Sequence, residues 1–262
     1  SGAVAAGMLD WFVTDWRTAY FIGGGMGLAL LALRLSVSES LIFKKSLSQT
    51  GISRGDFLAL FNNRERFSRL AKSTLLGVTT WFNTGILLFL APEFGRAKGL
   101  VEPVSVATAV IWFHIGMVSG DVASGLLSQY LRSRLRAMRF FLSMQTAFVA
   151  AYLFLPLQNA TQMYVLLLLL GFSGGFWVVF ITNASEQFGT NLRATAACTV
   201  PSFVRGLFVP MALVFQFLKS PGQLGSTIWS AVAVGAVCLA LAFWASFGLQ
   251  ETFDKDLDFL EK

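Results

Sequence analysis

Residues 140–185 carry no charged side chain, and two shorter runs, 73–92 and 224–250, share that character. A helix needs about 20 apolar residues to cross roughly 30 Å of hydrocarbon, and the two shorter runs each meet that need. The longer one is interrupted by Pro156 and the polar stretch from Gln158 to Gln162, so it reads as two spans joined by a tight hinge. Such runs restrict the chain to one fold class. Lipid offers no partner to backbone N–H and C=O groups, so each run must be a helix. The expectation is an all-α polytopic membrane bundle with about seven crossings, near 16–35, 73–90, 104–130, 140–157, 162–185, 194–218 and 224–249.

Composition and charge order these spans. Charged residues make up 13% of the chain, about half the share of a soluble domain. Lys44, Lys45, Arg54, Arg64, Arg66, Arg69 and Lys72 fall in one connector. Arg132, Arg134, Arg136 and Arg139 fall in another, and Arg193, Lys255 and Lys262 lie on the same predicted side. Basic residues are retained in the cytoplasm, which places that side and the C-terminus inside. The net positive charge flanks apolar spans and forms no patterned face, which argues against nucleic-acid binding. Cys198 and Cys238 both fall within spans, so no disulfide framework is indicated. No cleavable leader is visible ahead of the first span, and the run from Ser1 to Leu9, too short to cross, reads as the stub of a helix. In the long connector 36–72, Ile42-Phe43 and Phe57-Leu58 beside Lys and Arg suit either amphipathic helices at the inner surface or a solvated linker, with Asp56 as a helix cap.

Several motifs then align with one family. Trp16-Arg17 opens a span that closes with Arg34 and then Glu39-Ser40. Gly125 to Arg134 forms a glycine-plus-basic loop, Glu186-Gln187-Phe188 precedes Arg193-Ala194-Thr195, and Glu251-Thr252 follows the last span. In this order, each at an expected cytoplasmic end, they resemble the sixth helix and the second half of a major facilitator superfamily transporter. Two departures stand out: Gln129 where the family usually has Asp, and Arg132 where it has Gly. The resemblance implies segments 1–35 (end of helix five and helix six), 36–72 (linker), 73–250 (six-helix domain) and 251–262 (tail). It implies a secondary transporter, mainly its second half, that moves a small polar solute and is coupled to protons. Organic anions, zwitterions and sugars all stay open. The partners implied are the bilayer, a small-molecule substrate and a second transporter half or a larger membrane complex. The alternative is a non-transporting subunit that serves as a scaffold.

Ionisable groups inside spans are costly and so mark function. His114 and Asp121, seven residues apart on one helical face, and Arg205 near mid-span are the three such groups. Asp121 and Arg205 suit a mutually neutralising pair; equally, Arg205 suits an anionic substrate and Asp121 a proton. His114 suits proton transfer or a plain hydrogen bond. The resemblance adds Asn83 and Trp177 as cavity contacts, on the seventh and tenth helices, and a gating loop of Gly125, Gln129, Arg132, Arg134, Glu186 and Arg193. Gly116, Gly120, Ser124 and Ser128 recur every four residues, a stripe that lets helices approach closely. Gly171, Gly174 and Gly175 suit a bend, and Pro201 and Pro210 suit a kink on either side of Arg205. A single histidine excludes multi-histidine metal sites. With no nucleophile–base arrangement, neither an enzyme nor a cofactor is expected.

Overall fold

In the computed structural model the described residues are 16–35, 55–255 and 259–261, and they form an all-helical bundle. Its elements are α1 (Trp16–Leu35), a 3-10 turn (Leu58–Leu60) and α2 (Arg64–Trp81), which continues as a π segment (Phe82–Leu88). Then come α3 (Ala91–Ala97), α4 (Val106–Tyr130), α5 (Arg134–Phe154), α6 (Ala160–Gly174), α7 (Trp177–Glu186), α8 (Thr190–Gly206), α9 (Phe208–Lys219) and α10 (Thr227–Gly248). Five of the helices start where a short polar side chain caps their free N–H groups. Asn63, Ser105, Ser133, Asn159 and Ser226 do this for α2, α4, α5, α6 and α10. Asp56 also caps as the sequence suggests, accepting from the N–H groups of Leu58 (2.9 Å) and Ala59 (3.3 Å).

Among the described residues, five stretches are long and apolar enough to cross a membrane: α4, α5, α6 with α7, α8 with α9, and α10. Arg64–Leu88 and Ala91–Ala97, bent by 61° at their break, pass the same test together and make a sixth. The seventh expected crossing, at 16–35, also forms a helix, of which Tyr20–Arg34 is an apolar stretch. The linker boundary moves, because α2 begins at Arg64 rather than after Lys72. Its basic first turns belong to a helix whose charged groups bond at the bundle's end. The stub 1–9 and the amphipathic residues Ile42-Phe43 lie outside the described residues. The exterior is apolar: Val122, Leu126, Leu213, Phe217, Trp244 and Phe247 are each more than half exposed. A water-soluble domain would bury them, so the surface agrees with a multi-pass membrane protein.

Packing follows the small-residue stripe. A methyl group on Gly116 would lie 2.0 Å from the Leu168 carbonyl oxygen, and one on Gly171 would lie 1.9 Å from that of Phe113. Gly120 meets Phe172 in the same way, so α4 and α6 touch backbone to backbone. In lipid, where apolar side chains gain little by leaving the solvent, such close approach is what holds helices together. The π segment has a similar socket, since the Phe208 ring at the start of α9 fills the place of a Gly85 side chain. From α5, the Gln145 amide donates to the Thr79 carbonyl (3.3 Å) and the Tyr152 hydroxyl to that of Leu87 (2.9 Å). These donors bracket the segment whose regular ladder is interrupted.

Candidate functional site

The bundle carries two polar regions, a closed one at its basic end and an open one midway along its long helices. At the basic end, α5 begins at Ser133, which aims Arg134 across at the last residue of α7. Its Nε and Nη2 lie 2.6 Å and 2.7 Å from the two oxygens of Glu186, a bidentate pair. The Thr252 hydroxyl donates to the same carboxylate (2.7 Å), and the Asn183 amide donates to Thr252 (3.0 Å). Glu251 sits over the start of α5 and accepts from the N–H groups of Arg134 (3.0 Å) and Leu135 (3.2 Å) and from the Ser133 hydroxyl. Burial alone would raise the Glu251 carboxyl. The Ser133 hydroxyl and the N–H groups of Phe253, Arg134 and Leu135 outweigh it and hold the group below its ordinary range. Arg69 of α2 pairs with Glu261 at 2.8 Å and also donates to the Gln187 carbonyl.

Of the expected gating loop, the structure joins Arg134 to Glu186. Gly125 is half-buried with open space at its α-carbon, and Gln129 and Arg132 are exposed. The side chains of Gln129 and Arg132 take no part in the network among the described residues. Arg132 adopts φ 48°, the left-handed conformation that favours glycine, at the position where the resembled family has glycine. Arg193 lies half-buried in the first turn of α8. Sequence reasoning missed Arg69, Glu251, Thr252 and Glu261 as members of the network. For Glu251-Thr252 the tail motif was the available signal.

At mid-span, Asp121 and Arg205 do not pair. The α6–α7 break at Gly175-Phe176 leaves the first N–H groups of α7 without helical partners inside the apolar region. Asp121 Oδ1 accepts from one of them, Val178 N–H, at 3.2 Å. A carboxylate at a helix N-terminus is stabilised by the local dipole, so Asp121 has its counter-charge without an arginine. His114 places Nδ1 2.8 Å from the Val110 carbonyl oxygen one turn back and stacks edge-on against Phe113, 5.4 Å between centroids. Trp177 is half-buried against Phe180, its ring 5.0 Å away. Asn83 differs most from expectation. It is fully buried inside the bundle rather than on an open face, at the second position of the π segment. Neither atom of its amide has a hydrogen-bond partner among the described residues. The hydroxyls of Thr79 and Thr80 and the oxygen of the Gln145 amide are likewise unpaired.

Arg205 faces the other way. The buried side of α8 is formed by Leu192, Ala196, Val200 and Val204, whereas Ala194, Cys198, Ser202 and Arg205 are exposed. At 100° per residue those exposed positions form a stripe opposite the buried one. Pro201 lies within α8, and the helix breaks at Leu207 before α9 resumes, as the bracketing prolines suggest. Among the described residues no side chain or backbone group answers the Arg205 guanidinium. No group of His, Cys, Asp or Glu side chains among them is arranged to hold a metal ion. No protein-family model and no curated protein sequence matches the chain.

Proposed function

We propose that this chain is a large part of a secondary active transporter of the major facilitator type, which moves a small polar solute across a membrane with proton coupling. One observation carries the reading: Arg205 is central in the 30-residue stretch Thr190–Lys219 and points away from its own bundle. A charge at that depth needs water or a counter-charge, so this face lines an aqueous path or a second body and not lipid. Alternating access supplies both, since two helical bodies rock about a central site. The second wall is then a separate chain, further residues of this one, or a second copy. The interruptions at Gly175-Phe176 and at Leu207 suit that mechanism, because interrupted helices within a span offer places to flex where freed backbone groups find partners. The basic-end network suits an inner closure, and the basic connectors support a cytoplasmic position for that end.

In this reading Asp121 is the proton carrier, since protonation would release the N-terminus of α7 beside the path. The test uses membrane vesicles that contain the protein and a trapped pH dye, challenged in turn with organic acids, amino acids and sugars. A solute-driven pH change, lost in Asp121→Asn and kept in Asp121→Glu, is expected. No pH change with any solute, in a protein that labels as correctly inserted, removes proton-coupled transport. The open face also serves the alternative of a scaffold subunit, which a stoichiometric co-purifying partner and absent solute binding would favour.

A further inference from the structure

We infer that the solute taken at this face is a small anion bearing a carboxylate, phosphate or sulfonate, and that the Arg205 guanidinium is its anchor. The inference rests on the transporter reading and narrows it. Arg205 is 15 residues from Thr190 and 14 from Lys219, about 20 Å of helix on either side. An arginine side chain reaches roughly 7 Å, less than the approximately 15 Å from midplane to headgroups, so a lipid phosphate does not serve it. Asp121, the only acidic residue in the middle of a described crossing, is committed to Val178 N–H. Ser202, on the same stripe, spends its proton on the Cys198 carbonyl (2.8 Å). The guanidinium is therefore the strong donor of this stripe, a planar fork that matches an oxyanion. A neutral sugar would leave its charge uncompensated when the path closes around it. A negatively charged solute neutralises it.

Cys198 makes the inference testable without knowing the solute. It is exposed and free, seven residues before Arg205 on the same stripe, whereas Cys238 is buried. In native membranes, Cys198 is modified with two methanethiosulfonate reagents of similar size, one ending in a sulfonate and the other in a trimethylammonium. The ratio of their rates cancels any effect on thiol ionisation and reports the local potential. Arg205→Gln is expected to lower the anionic-to-cationic ratio about tenfold, from a unit charge about 10 Å away in a medium of intermediate dielectric. Arg205→Lys is expected to keep the ratio, and Cys198→Ser to abolish labelling. A ratio that is the same in the parent and in Arg205→Gln overturns the anion and leaves the aqueous face standing. A Cys198 that reacts only after denaturation overturns the aqueous face, and the anion with it.

Discussion

The basic end and the mid-span face treat charge in opposite ways. At the basic end three acidic groups, Glu186, Glu251 and Glu261, are met from inside the chain. Arg134 grips Glu186, Arg69 grips Glu261, and Glu251 gathers N–H groups from the start of α5. At mid-span Arg205 is turned outward and unanswered among the described residues. The cost of an unpaired charge in hydrocarbon is as real at one place as at the other. The bundle completes its own end from within, whereas at its centre it turns a charge outward.

The strongest way to break this contrast is Glu186→Ala. It leaves Arg134, with a side chain only 20% exposed, without its bidentate partner. A destabilisation of about 2–3 kcal/mol is expected in thermal denaturation in detergent, partly recovered when Arg134 is also removed. An unchanged midpoint would mean that the closed end is ornamental. A smaller effect is expected from pH. The Glu251 carboxyl lies below its free value of 4.5 in the folded chain. Its contribution is thus complete above that value and is lost as pH falls through the lower folded one. Glu251→Gln should flatten the acid limb of the stability profile, and identical limbs would refute the assignment. The smallest effect is expected at the open face, where Arg205→Gln should move the midpoint by no more than about 0.5 kcal/mol. A large loss would reveal a partner for Arg205 within the bundle.

The crossings were legible because hydrocarbon sets their length and excludes charge, and α4, α5 and α10 begin or end within a few residues of the apolar runs. The α6–α7 break was legible from its glycines, and the α4–α6 seam from the four-residue repeat. The Arg69–Glu261 pair was not, for its members are 192 positions apart and nothing local couples them. Nor was the role of Asp121. An intramembrane carboxylate signals that a positive partner exists, but an arginine and a helix N-terminus are equally good partners by sequence. The π segment escaped notice because one displaced turn of hydrogen bonds leaves no mark in residue type. Asn83 was read as facing a cavity because the resemblance places its helix beside one, and neither that nor helical spacing says which face of the helix is inside.

The Phe208 ring occupies the space of the side chain that Gly85 lacks, and it directly follows the break that ends at Arg205's own helix. The start of α9 is thereby keyed to the π segment: a methyl group at position 85 would lie 2.1 Å from the Phe208 ring, so the smallest added side chain there would have to push the two elements apart.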